Sequence, residues 1–356
     1  MSFMGRFAKA TIACVLLFAV LGCDYLPRSA QWPLEQAQTQ QWLQQTPSFS
    51  HGVKQAYENH QVVAVGDYHW NNRVMAEINN LLKQPHFLTD VKQIVVEFGN
   101  ARHQVAMDAF LNGESNDAKV LNAARRDALF FTAWMPEVYA EFFQIVRAYN
   151  LTVTAEKRVK VWLAESPFYW EKIESHDQWQ QAANHKTDGF LNTAQQAMAT
   201  GDKVFMVFGA FHLLNIEPKP TSGALPLATL LKQGYPNKVF TIWPITESEI
   251  NESLAQLKAP ALLTTEFAAA KQLKLIDILP KARIRLGRLE HKEDSVQQLV
   301  DGLLYVGKSE RLSRFPDSIM QDKSWLAEME ARLTIVGGRP LSAFNEIIAN
   351  SENTGH

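Results

Sequence analysis

The chain is poor in cysteine, and that removes several chemistries at once. Only Cys14 and Cys23 occur among its 356 residues, both near the N-terminus. The body of the protein therefore has no disulfide framework, no cysteine nucleophile and no cysteine-ligated zinc or iron–sulfur site. Long apolar runs are also missing. Ala10–Leu21 is almost wholly apolar but falls short of the ~20 residues that span a bilayer, and no other run comes near that length. Nor is there a basic excess: 35 Lys and Arg face 37 Asp and Glu, for a formal net charge of -2. That argues against a nucleic-acid partner, which calls for a basic face. There is no low-complexity tract, no fixed-period repeat, no Gly-x-Ser-x-Gly elbow and no His-Glu-x-x-His helix. Gly302–Ser309 has the letters of a phosphate-binding loop. Its four middle residues themselves read as a strand, and no helix opens at Lys308, so the phosphate-wrapping turn is not expected.

What is present begins with a targeting segment. Arg6 and Lys9 precede the apolar stretch, which runs to Val20-Leu21-Gly22-Cys23. This resembles a bacterial lipoprotein box, with residues 1–22 as signal peptide and Cys23 as the acylated residue that anchors the chain to a lipid bilayer. Cleavage removes Cys14 and acylation consumes Cys23, which leaves no free thiol. Asp24 resembles a signal for retention at the inner membrane of the cell envelope. Residues 23–45 are polar, Gln-rich and punctuated by Pro27 and Pro33, and read as a tether.

From residue 46 the pattern alternates between strands and helices. Gln61–Val65, Gln93–Phe98, Val159–Leu163, Val204–Phe208 and Val239–Trp243 read as strands. Asn71–Leu82, Arg102–Leu111, Pro136–Tyr149 and Asp188–Thr200 read as helices, as does the segment ending at Leu231. The alternation predicts an α/β fold over residues 46–245, with a largely parallel central sheet flanked by helices. Residues 246–356 read as a helical elaboration packed on that core. Its helices are expected at Glu247–Leu257, Thr265–Leu273 and Ser324–Leu333, with one more strand at Leu303–Val306.

Two strands end in the same letters. Val62–Val65 runs into Gly66-Asp67-Tyr68-His69, and Val204–Phe208 runs into Gly209-Ala210-Phe211-His212. A third, Ile94–Val96, ends on Glu97. In open α/β sheets ligands sit beyond the carboxyl ends of the strands, so His69, His212 and Glu97 can meet in one crevice. A histidine there can be a base, a metal ligand or a buried hydrogen-bonding group. Glu97 can orient a histidine, ligate a metal, act as acid or base, or pair with Arg73 or Arg102. Asp67 either points into the crevice or caps the helix at Asn71–Leu82. Glu165 ends a fourth strand and reaches the same side. Tyr68, Asn100 and Arg126 are further candidates for ligand contact, and Arg102 and His103 are weaker ones. His176, His185 and His291 lie in polar segments and read as solvated.

The order and spacing of these motifs resemble the superfamily that groups ChaN-type haem-binding lipoproteins, Tiki/TraB proteins and erythromycin esterases. Val-Gly-Asp-Tyr-His at 65–69 is similar to the family's Gly-Glu-x-His, with Asp67 in place of Glu. Val-Val-Glu-Phe-Gly-Asn at 95–100 and Gly-Ala-Phe-His at 209–212 resemble its later motifs, and Gln104, Asp108 and Asn112-Gly113-Glu114 the segment between them. The resemblance covers roughly residues 60–245 and implies a site at the strand carboxyl ends. It implies no single activity. Erythromycin esterases use the first-motif histidine as a base toward water, Tiki proteins are metal-dependent peptidases, and ChaN-like members bind haem.

Three expectations follow. The first is a hydrolase in which His69 activates water, with Glu97 and His212 orienting it or joining it as ligands of a divalent metal; two His and one carboxylate form a known ligand set. The second is a haem-binding lipoprotein with Tyr68 as axial ligand and some of the 9 Trp and 20 Phe lining its pocket. The third is a non-catalytic envelope protein that keeps the fold. The ligand is a small molecule or peptide.

Overall fold

Val62–Val65, Ile94–Val96 and Val204–Phe208 are unbroken apolar runs, and such a run needs cover on both faces. A computed structural model, which describes residues 35–217, 224–246, 257–274, 294–309 and 315–353, provides it. Seven strands form one sheet: β1 (Val62–Asp67), β2 (Gln93–Asn100), β3 (Lys160–Glu165), β4 (Val204–Gly209), β5 (Val239–Ile245), β6 (Ala261–Thr264) and β7 (Gly302–Tyr305). Their order is β3-β2-β4-β1-β5-β7-β6. Every pairing is parallel except β6 with β7. This is the predicted α/β class with a largely parallel sheet, and it is the architecture implied by the resemblance.

Alternation along β1 sorts its side chains between two layers. Val63 and Val65 pack with the helices Asn72–Leu82, Gln104–Leu111 and Val138–Asn150. Val62 and Ala64 pack with Lys186–Met198 and Leu227–Gly234 on the other face. The helix Asn72–Leu82 forms because Val74, Met75, Ile78, Leu81 and Leu82 recur on one face, all buried. Asn71 caps it, its side chain accepting from the Arg73 N–H at 3.0 Å. Arg73 pairs with Glu77 one turn on, at 2.6 Å.

Several expectations are corrected. The tether is not polar coil throughout: Gln36–Gln44 is helical, and Trp42 is buried with its indole N–H donating to the Thr264 carbonyl at 3.0 Å. One tryptophan in a Gln-rich stretch has no periodic partner, so the sequence hides this contact. The helix Phe49–Asn59 carried no expectation at all. Its Gly52 lies so close to β6 that a Cβ would stand 2.7 Å from Leu262. Thr265–Leu273 holds only a short 3-10 turn, Ala268–Lys271, because the neighbouring run Ala261–Thr264 is strand. Ser324–Leu333 lies within the helix Lys323–Val336, and Leu303–Val306 overlaps β7. The Gly302–Ser309 segment indeed opens as strand. The signal peptide, Cys23, Asp24, His291 and all of Glu247–Leu257 except its last residue lie outside the described residues.

Candidate active site

Register brings the strand ends together. Asp67 lies opposite Gly209 in the β1–β4 pairing, and β2 flanks β4 on its other side. Paired residues of parallel strands point to the same face, so Asp67 and the vacant side of Gly209 share one. A Cβ on Gly209 would stand 3.0 Å from His69 Nε2 and 3.1 Å from Glu97 Oε2. Glycine therefore lets the imidazole and the carboxylate close over the end of β4. Gly66, one register step away, faces the other layer, where a Cβ would meet Pro244 and Ala210 at 2.9 and 3.0 Å.

His69 is held by its own strand. Its Nδ1 lies 3.2 Å from Asp67 Oδ2, so this nitrogen carries the proton and Nε2 is the basic one. The ring packs edge-on against Trp134 at 4.5 Å. Asp67 Oδ2 also accepts from the Tyr139 hydroxyl at 2.6 Å. Burial, with the Asp67 charge behind it, pushes the Tyr139 phenol well above its ordinary range, so it stays a donor. Asp67 Oδ1 is buried with no hydrogen-bond partner, an acceptor left over. Asp67 thus points into the crevice, and Asn71 does the capping. Just past His69 the backbone turns left-handed at Trp70, φ 65°. That costs a bulky residue about 1–2 kcal/mol and is the kind of strain that gathers at functional sites.

Glu97 is held by three groups. Its Oε2 accepts the Gly209 N–H at 2.6 Å. Its Oε1 lies 3.3 Å from His212 Nε2 and 3.8 Å from Lys186 Nζ. Burial pushes this carboxyl up, but the charge and hydrogen bond of His212, then Lys186 and His69, outweigh it and hold Glu97 far below the ordinary carboxylate range. Burial pushes the His212 imidazole down, and Lys186 and His69 add to that against the pull of Glu97. Its ring lies edge-on to Phe190 at 5.3 Å. Glu97 and Asp67 are almost fully buried, whereas the side chains of His69 and His212 each keep 18% exposure, so solvent reaches the histidines.

Glu165, at the end of β3, is the opposite case. Burial, aided by the Glu97 charge, pushes its carboxyl to about 8, against the Leu129 N–H bond and Lys186. That N–H donates to Glu165 Oε1 at 2.5 Å. Two carboxyl groups at neighbouring strand ends are therefore driven apart, one ionised and one protonated at neutral pH.

The other candidates are engaged elsewhere. Neither Arg73 nor Arg102 pairs with Glu97: Arg73 holds Glu77, and Arg102 reaches Asp127 and Glu171. The Asn100 amide bridges the carbonyls of Asp127 and Phe168 at 2.9 and 2.8 Å, so it ties loops together. Arg126 pairs with Asp322 at 2.9 Å and lies over the Trp325 ring. The Tyr68 oxygen accepts the Trp243 indole N–H at 2.7 Å. His103 binds Asp127 at 2.7 Å, His176 binds the Val336 carbonyl at 2.8 Å, and His185 pairs with Asp188.

Sequence reasoning missed Lys186 and Tyr139. Both were findable as polar residues on apolar helix faces. Lys186 precedes Phe190, Ala194 and Ala197 on the buried face of its helix, and Tyr139 precedes Phe142, Phe143 and Val146.

These residues do not fit a metal. Both Glu97 oxygens already face donors, and the Lys186 ammonium stands where a divalent cation would compete. Among the described residues no group of three or more His, Cys, Asp or Glu is placed to hold a metal ion. An axial role for Tyr68 toward haem fits no better, since its oxygen is committed to Trp243.

No protein-family model matches the chain, and no curated protein matches its sequence. Among solved structures, a succinoglycan biosynthesis protein superposes with a TM-score of 0.55 at 9% identity, over 78% of this chain and 98% of that one. A Bacillus cereus protein gives the same score and identity over 78% and 99%. An erythromycin esterase mutant in its open conformation superposes less closely, with a TM-score of 0.47 at 8% identity over 73% and 94%. The first two likenesses show a shared fold and nothing finer.

Proposed function

We propose that this chain is a hydrolase of a small-molecule or peptide substrate, working through His69, Glu165 and Glu97 without a metal. The observation that carries the reading is the fixed histidine: Asp67 holds Nδ1 at 3.2 Å, and Nε2 faces the crevice over Gly209. In that arrangement Nε2 takes a proton from a water, and the water oxygen bonds to the substrate carbonyl carbon. When the bond to the leaving group breaks, Glu165 gives that group its proton. Glu97 stays ionised, held by Gly209 and His212, and balances charge on His69 and Lys186. The two histidines differ in role: His69 moves the proton, and His212 fixes Glu97.

The test is turnover of generic ester and peptide substrates by the metal-stripped protein, beside His69→Gln and His212→Gln. Turnover that survives chelation and collapses in His69→Gln supports the reading. Turnover that requires added metal, or that ignores His69, overturns it. We further propose that the enzyme is tethered to the bacterial envelope membrane through acylated Cys23, on the strength of the Val20–Cys23 sequence. Asp24 favours the inner membrane. Metabolic palmitate labelling, lost in Cys23→Ala, checks the anchor, and membrane fractionation checks the face.

A further inference from the structure

Residues 246–356 carry none of the strand-end motifs, yet one side chain from them reaches the surroundings of Glu165. Arg332 lies in the helix Lys323–Val336 and is buried. Its Nη1 donates to the Arg126 carbonyl at 2.5 Å, and its Nη2 donates to Asp127 Oδ1 at 3.2 Å. Nη2 also binds Glu328, one turn back on the same helix. The guanidinium lies among three rings, 5.1 Å from Trp170, 5.1 Å from Trp325 and 5.5 Å from Phe131. A planar fork that bonds a carbonyl and a carboxylate while stacking on aromatics is work for arginine and not for lysine.

The segment it grips is short and leads to the site. Asp127 is also held by His103 at 2.7 Å and Arg102 at 3.8 Å, and its carbonyl accepts from Asn100. Burial pushes the Asp127 carboxyl up, but His103, Arg332 and Arg102 outweigh it and hold it below its ordinary range. The Ala128 carbonyl accepts the Trp170 indole N–H at 3.1 Å. Next in the chain is Leu129, whose N–H holds Glu165. Arg126–Leu129 is thus a bracket, pinned at one end by Arg332 and presenting its last N–H to the carboxyl. The charged groups that act on Glu165 itself are Lys186 and Glu97.

We propose that Arg332 is a positioning residue for Glu165: by pinning Arg126 and Asp127 it fixes the turn whose Leu129 N–H holds the carboxyl, so that the helix Lys323–Val336 completes the site. This rests on the reading of Glu165 as proton donor. The test is built so that either can fail alone.

The carboxyl carbon of Glu165 is followed by carbon-13 NMR in the full chain, its signal identified by its loss in Glu165→Gln. In Arg332→Leu the titration midpoint of that carboxyl is expected to rise by about half a unit or more, because the bond favouring its ionised form weakens. Turnover is expected to fall about tenfold through kcat, with KM little changed. Arg332→Lys, which can replace one of the two contacts, gives a smaller rise. An unmoved midpoint in a folded Arg332→Leu overturns the proposal. Where the leucine variant fails to fold, the lysine variant decides: a raised midpoint supports the proposal and an unmoved one overturns it. If Glu165→Gln leaves turnover unchanged, the proton-donor reading falls, while the link from Arg332 to the carboxyl still reads in the spectrum.

Discussion

The ends of β1 and β4 share the letters Gly-x-x-His but hold their histidines by different means. At β1 the second letter is Asp67, so His69 finds its carboxylate two residues back in its own chain. At β4 the second letter is Ala210, which has none to offer, and His212 takes Glu97 from the neighbouring strand β2. The engaged nitrogens also differ: Nδ1 of His69 and Nε2 of His212. Both imidazoles also act on Glu97, whose carboxyl is held down by His212 first and by His69 as well. Even the glycines diverge, Gly209 making room for His69 and Glu97, and Gly66 for Ala210 and Pro244 on the opposite face. A repeated motif thus fixes where a histidine sits, and the residue inside the motif fixes what it can do.

The largest effect is expected from removing the anion around which the β4 end is built. Glu97→Ala leaves the Lys186 ammonium, His212 Nε2 and the Gly209 N–H without the acceptor they share. Breaking a buried charge pair in this way costs about 3–5 kcal/mol. Urea denaturation should show that loss, and turnover should fall to background. A variant as stable as the wild type would mean that the β4 end is not organised around Glu97.

The histidines come next, and they test the asymmetry directly. His69→Gln removes the proposed base and should lower kcat by about 10²–10⁴-fold. His212→Gln can still donate to Glu97, so about a tenfold fall is expected, the worth of one altered hydrogen bond. Steady-state kinetics on both variants decide the matter. Equal losses would erase the distinction between base and support, and a larger loss in His212→Gln would reverse it.

Glu165 extends the comparison from histidines to carboxyls. With its carboxyl at about 8 in the fold against an ordinary 4.5, the folded state binds the extra proton between those pH values. Stability from this group therefore declines as pH rises from about 4.5 to about 8, by at most ~1.4 kcal/mol per unit. Glu97 has the opposite sign: its depressed value gives stability that is present above the ordinary carboxylate range and lost as pH falls below it. Glu165→Gln should flatten the decline between about pH 4.5 and about 8 and leave the loss from Glu97 at lower pH in place. Turnover should fall about 10²-fold, and the alkaline limb of its pH profile near 8 should disappear. Thermal melts across pH and the pH–rate profile check both. A Glu165→Gln protein whose alkaline limb persists would assign that limb to another group.

Much of this was legible in the sequence because strand-end chemistry is local. Apolar runs marked β1, β2 and β4, and the residue that closes each run named His69, Glu97 and His212. What stayed hidden depends on distant packing. Lys186 and Tyr139 come from helices that cross the strand ends, and only their place on an apolar face betrays them. Asn100 and Arg126 looked like ligand groups because they follow or neighbour a motif. Their side chains instead tie loops and the C-terminal helices to the core. The short edge strand β6 and the helix that buries Trp42 carry too few periodic residues to be read.

The smallest effect is expected from Tyr139→Phe, and it asks whether the β1 end is as self-contained as its letters suggest. The phenol donates to Asp67 at 2.6 Å and is packed by Phe98 and Trp134, which a phenylalanine ring would leave in place. Asp67 would keep His69 on Oδ2, so the tautomer of the imidazole is preserved. The loss is one hydrogen bond to a charged group, about 1.5–3 kcal/mol of stability. In kcat it should amount to only a few-fold, because the base keeps its orientation. The phenol is not among the groups that shift the Glu165 carboxyl, so the alkaline limb set by Glu165 should not move. A kcat as low as that of His69→Gln would show that Tyr139, Asp67 and His69 act as one unit. The β1 end would then depend on a helix as heavily as the β4 end depends on Glu97, and the contrast between the two motifs would lie in which element supplies the anchor.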